Sequence, residues 1–219
     1  MNANPSLLFL PSLPALQAKD GRPSRPADIQ ALERRLRQAA LQGRPVLLGT
    51  PAAPYEPAER GTTRFLLATL GRTEGLEVVI TTRSPLLLRD LELLTRLDRC
   101  HAVIVRMMLP TVDPELAVRM EPEISSPQSR LRAVRQLSEE GIETQVLCAP
   151  WLPGSNDSEA VLRPLFAAAW EAGAFDVRLP GDRRSALAAW TSGGRDRRLA
   201  VFRRLRLEYG FPRPLAGRG

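Results

Sequence analysis

The sequence holds two cysteines, Cys100 and Cys148, one histidine, His101, and one lysine, Lys19. Each scarcity excludes something. Two cysteines make no disulfide framework, and their spacing fits no zinc or iron–sulfur loop. Both are expected to be buried thiols. No G-x-S-x-G elbow, phosphate-binding P-loop or G-x-G-x-x-G turn occurs. No apolar run approaches the ~20 residues that cross a bilayer, so no membrane partner is expected. The N-terminal "PSLLFLPSLPAL" is short, broken by proline and preceded by no positive residue. It makes a poor signal peptide, and the expected location is the cytoplasm.

What is present is ordinary for a globular chain. At 219 residues, 43% hydrophobic and 25% charged, it is long enough for one large α/β domain. The net charge of +7 comes almost wholly from arginine, whose planar fork suits phosphate. Arginines thicken towards the C-terminus, in "RDRRLAVFRRLRLEYG". Two readings stand there: the solvated face of a helix, or a nucleic-acid patch using Arg203, Arg204 and Arg206. No zinc finger or RNA-binding aromatic signature favours the second.

Along the chain, helical and strand patterns alternate. "PADIQALERRLRQAALQG" carries an apolar stripe at Ile29, Leu32 and Leu36, and Gly43 is placed to end it. "PVLLGT", "LEVVITT", "HAVIVRMML", "IETQVLCAP" and "FDVRLP" read as five short strands. Between them, "AERGTTRFLLATLG", "SPLLLRDLELLTRLDR", "SPQSRLRAVRQLSEEG" and "DSEAVLRPLFAAAWEAG" read as helices, the last kinked or started late by Pro164. Ser84–Pro85 and Ser126–Pro127 are N-terminal helix signals. Two more helices are expected, near Arg183–Trp190 and Arg195–Tyr209.

Such alternation means a parallel sheet with helices packed outside it. The sheet either curls into part of a β/α barrel or stays open and doubly wound. In both, ligands meet the C-terminal ends of the strands. The loops there hold few candidates: Thr50, Tyr55, Glu56, Glu59, Thr81 to Ser84, Thr111, Asp113, Glu121, "APWLPGSND" and Arg178. His101 precedes its strand and belongs at the wrong end. Ser84 reads as a helix cap and Asp113 as a turn or cap residue. No set of neighbouring groups suited to acid–base or nucleophilic catalysis emerges.

The same loops, taken in order, resemble a known family. "LGTPAAPYEPAER", "ITTRSPLLLRDLELL", "LPTVDPELAVRMEP", "SPQSRLRAVRQLSEEGI", "CAPWLPGSND" and "RLP" are similar to the spore photoproduct lyase-like radical S-adenosylmethionine (SAM) proteins. The resemblance runs from about Pro45 to Pro180. It implies a partial (β/α)6 barrel of parallel strands with outer helices. It implies a [4Fe–4S] cluster, held by a C-x-x-x-C-x-x-C loop after the first strand, and SAM bound at its open iron. It points to Thr50, Tyr55, Arg83, Ser84, Glu121, Pro150 and Asn156 as cofactor-binding positions. It assigns this chain no catalytic residue and no metal ligand.

The departures from the pattern are specific. No C-x-x-x-C-x-x-C is present, and Cys100 and Cys148 match no family ligand. The family's Thr and Asp in the first loop fall at Ala52 and Ala53, its Lys at Arg83, and a strand Ser at Met108. Each lost polar partner costs a SAM site roughly 1–3 kcal/mol. The expectation is therefore a degenerate member, a pseudoenzyme without cluster or SAM, acting by binding or regulation. The alternatives are an active enzyme whose cluster-bearing segment is missing from this chain, and a nucleic-acid module. The first βα unit is expected to be missing. The open sheet edge would then be covered by the N-terminal segment (residues 1–25), by the Arg-rich C-terminal helix and tail (191–219), or by a partner protein. The barrel domain is expected over 26–190.

Overall fold

A computed structural model describes residues 8–10, 26–49, 55, 60–180 and 195–212. The expected helix near Arg183–Trp190 lies outside them. The chain divides into two compact units, residues 1–106 and 107–219.

The first unit holds β1 (Leu8–Leu10), α1 (Pro26–Leu41), β2 (Val46–Leu48), α2 (Arg60–Leu70), β3 (Glu77–Thr82), α3 (Leu91–Asp98) and most of β4 (Ala102–Met108). Its strands neighbour one another in chain order. β2 pairs parallel with β3, Val46 opposite Val78. The apolar stripe of α1 buries Leu32, Leu36 and Ala39. Gly43, at φ 59°, ends it in the left-handed conformation, and the Arg44 N–H returns to the Ala39 carbonyl. "SPLLLRDLELLTRLDR" is not one helix. Ser84 caps a 3-10 segment, Pro85–Asp90, which passes into α3.

All five expected strands are present, as β2 to β6, and a sixth precedes them. β1 pairs parallel with β2 on its outer edge, Leu8 opposite Val46 and Leu10 opposite Leu48. The first βα unit, expected to be missing, thus has a counterpart in β1 and α1. Pro5, Pro11 and Pro14 hid it: proline cannot donate to a ladder, so the run reads as a broken extended segment. The strand Leu8–Leu10 falls between Pro5 and Pro11 in the sequence.

The second unit holds α4 (Pro114–Met120), α5 (Pro127–Glu139), β5 (Glu143–Leu147), α6 (Glu159–Glu171), β6 (Asp176–Arg178) and α7 (Arg195–Glu208). β5 and β6 are parallel. The end of β4 lies against β5, where the Leu109 N–H donates to the Leu147 carbonyl at 2.8 Å. α4 was not expected. Asp113 starts it by accepting from the Glu115 and Leu116 N–H groups, at 2.9 and 3.1 Å. α6 runs through Pro164 without ending. Among the described residues no helix is long and apolar enough to cross a membrane.

α7 is held by its apolar and its charged residues alike. Phe202, Leu205 and Phe211 are buried, and Phe166 of α6 stacks edge-on with Phe202 at 5.1 Å between centroids. Arg206 makes two bonds to the buried Asp176 carboxylate, at 2.9 and 2.8 Å. Arg204 pairs with Glu159, and Arg163 with Glu159 and Glu208. Two of the three arginines named in the nucleic-acid alternative therefore pair with carboxylates within the fold.

These pairs give a pH dependence. Hydrogen bonds from Arg163 hold the Glu208 and Glu159 carboxyls below the ordinary value of 4.5, and Arg204 adds to the effect at Glu159. A depressed carboxyl contributes stability above its unfolded value and loses it as pH falls through its folded value. Exchange of the α7 amides should therefore accelerate as pH is lowered below about 4.5, after correction for intrinsic rates. Arg163→Gln should flatten that dependence. An α7 equally protected at pH 6 and pH 3 would contradict the assignment.

Candidate functional site

At the end of β2, Gly49 has φ 112° and turns the chain out of the strand. Thr50, Ala52 and Ala53 lie outside the described residues. Tyr55 returns at φ 74°, unusual for a bulky residue, with only 3% of its surface exposed. Its hydroxyl has no hydrogen-bond partner among the described residues. Beside it, the buried Asp90 accepts from Arg64 at 2.7 Å. Burial, and then the Asp90 charge, push the Tyr55 phenol up, so it stays protonated. A buried donor in a strained backbone is the kind of feature found where a protein meets a ligand.

At the end of β3, Thr82 is fully buried and accepts from the Ser84 N–H at 3.1 Å. Ser84 in turn accepts from the Leu86 N–H, as a cap. Arg83 lies between them, partly exposed.

In the second unit the strand ends are braced by side chains. Thr111, fully buried after β4, accepts from the Asp113 N–H at 3.1 Å. Glu121 closes α4 and is buried, with its Oε2 2.7 Å from Nη1 of Arg130. Arg130 is only 2% exposed. It also donates to the Met108 carbonyl at 2.9 Å and, through Nε, to the Ser125 carbonyl at 3.0 Å. One guanidinium thus ties the end of β4 to the start of α5.

After β5, Asn156 does comparable work. It is fully buried, accepts from the Leu152 N–H at 2.8 Å, and donates to the Pro110 and Pro150 carbonyls, each at 2.9 Å. Asp157 accepts from the Gly154 N–H at 3.0 Å and meets Arg198 of α7 at 2.7 Å. Of the expected site residues in this unit, Glu121, Pro150 and Asn156 are joined to the backbone framework of the loops. Arg130 and Arg198 were not among the candidates. Arg130 had a signal, a charged residue inside the buried stripe of α5 between Pro127 and Val134.

His101 is a structural residue. Its Nδ1 accepts from the Leu76 N–H at 3.2 Å and its Nε2 donates to the Leu70 carbonyl at 3.1 Å. Both cysteines are free. Cys148 is buried, and burial pushes its thiol up. Cys100 is exposed, a correction to the expectation: it lies in the turn between α3 and β4 and belongs to neither apolar stripe. Among the described residues, no three His, Cys, Asp or Glu side chains are grouped to hold a metal ion.

No protein-family model matches the chain. Uncharacterised proteins of Mycobacterium bovis and Mycobacterium tuberculosis are each 30% identical over 181 residues, 80% of this chain and 53% of theirs. An uncharacterised protein of Acidianus two-tailed virus is 30% identical over 124 residues, 57% of this chain and 40% of its own. The chain therefore spans about half the length of the curated relatives it matches most fully. Among solved structures, spore photoproduct lyase complexed with a dinucleoside spore photoproduct superposes with a TM-score of 0.59 at 15% identity, covering 89% of this chain and 67% of that one. Streptococcus suis SuiB bound to S-adenosylmethionine gives 0.55 at 20% identity, over 86% and 40%. The fold is thus one that these proteins share.

Proposed function

We propose that this chain is a spore photoproduct lyase-like member of the radical SAM fold that has no resident iron–sulfur cluster and acts by binding. The residues present do not fit the cluster. Three thiolates are needed, and the sequence has two cysteines. Cys148 is a buried neutral thiol, and Cys100 lies at the N-terminal end of β4, away from the strand-end loops. No chemical step through a cluster is therefore derived.

The observation that carries this reading is β1. A cluster-bearing strand and loop placed before β2 would need the outer edge of β2, and Leu8–Leu10 occupy it. The stretch that follows β1 and leads into α1, residues 11–25, holds no cysteine. The replacement of the family's Thr and Asp by Ala52 and Ala53 agrees with a site released from cofactor binding. The braced loops after β4 and β5 offer a formed surface, and their carboxylates and amide are engaged within it.

Anaerobic reconstitution with iron and sulfide should leave the protein without the broad visible absorbance of a cluster. SAM should remain uncleaved under strong reductant. A stable cluster that cleaves SAM on this chain would overturn the proposal.

A further inference from the structure

The first unit carries a groove of 510 Å³ at the N-terminal ends of β3 and β4, the end of those strands away from Tyr55 and Ser84. That volume is in the range of small-ligand sites, roughly 300–1,000 Å³. Ala39, Leu76 and Ala102 give it apolar walls.

Most of its polar groups are already engaged. His101 is 6% exposed, and both of its ring nitrogens are bonded to backbone, so it offers neither a metal ligand nor a base. The amides of Arg44, Gly75 and Ala102 donate to the carbonyls of Ala39, Cys100 and Leu76. The Arg44 guanidinium donates to Gln42 at 3.3 Å and has a further partner, so it is not free for a ligand.

Two charges of opposite sign remain. Glu77 and Arg99 both line the groove and are exposed, and neither makes an ion pair or side-chain hydrogen bond among the described residues. A ligand of one sign would satisfy one of them and be repelled by the other. A ligand carrying both signs satisfies both. Guanidinium takes a carboxylate through two parallel N–H groups. Ionised glutamate only accepts, which suits an ammonium. The apolar walls then suit an aliphatic body.

From this arrangement we infer that the groove binds a small zwitterion, a free α-amino acid with an aliphatic side chain, its carboxylate on Arg99 and its ammonium on Glu77. The site shares no residue with the strand-end loops and does not depend on the cluster-free reading.

Cys100 supplies the readout. It is exposed and lines the groove, while Cys148 is buried, so iodoacetamide at neutral pH labels Cys100 selectively. Protection is the ratio of labelling rates without and with ligand, taken separately for each variant. L-leucine at about 10 mM, enough to report millimolar affinity, should slow labelling several-fold. Leucinamide lacks the carboxylate and N-acetyl-leucine lacks the ammonium, and each should protect far less. In Arg99→Gln, leucine should protect no better than leucinamide. In Glu77→Gln, it should protect no better than N-acetyl-leucine. Both positions are exposed, so neither variant should change the melting temperature. Absence of protection by leucine, equal protection by the three compounds, or full protection in a Glu77→Gln/Arg99→Gln double variant would each overturn the assignment.

Discussion

Arg130→Ala should destabilise the protein by about 3–5 kcal/mol, the usual result of removing one partner from a buried ion pair. The side chains concerned are 2% and 5% exposed, so little water replaces the guanidinium beside Glu121. The same substitution takes a donor from the Met108 carbonyl at the end of β4 and another from Ser125. The midpoint of urea unfolding should fall accordingly, with little change in slope. Arg130→Met combined with Glu121→Leu should recover much of the loss, because replacing both charges by apolar groups leaves no buried carboxylate without its cation. If Arg130→Ala alone costs less than about 1 kcal/mol, the pair is not the brace described here.

Asn156→Ala should cost about 2–4 kcal/mol, since it removes three hydrogen bonds inside a closed loop. The Pro110 and Pro150 carbonyls lose their donor. Asn156→Asp separates the roles. A carboxylate still accepts from the Leu152 N–H but cannot donate to either carbonyl, so it should be nearly as damaging as alanine. Limited proteolysis near Gly154 should increase in both variants. An aspartate variant as stable as the native protein would show that the donor side contributes little.

Both effects bear on what could be read from the sequence. The alternation of strands and helices was legible because β2 to β6 are short apolar runs separated by amphipathic segments with caps. Ser84, Asp113 and Ser126 appear where capping chemistry places them. β1 was not legible, because three residues between prolines carry too little pattern and their pairing partner is remote in sequence. The buried Arg130 was hidden for a related reason. Helical periodicity reports which positions face inward, and an arginine among them marks a conflict without naming its partner. Glu121 was picked out by resemblance as a cofactor contact, whereas the geometry ties it to Arg130.

The pairing of β1 with β2 has a consequence for how such a protein could change its chemistry. β1 is held by its pairing with β2 and α1 by its buried stripe, so neither element rests on the sequence that joins them. Closure entropy grows slowly with length, about 0.6 kcal/mol per doubling. A segment bearing metal ligands could therefore be lost, shortened or rewritten there at little thermodynamic penalty. A framework of this kind would outlast a change of chemistry, and relatives would be recognised by their scaffolding.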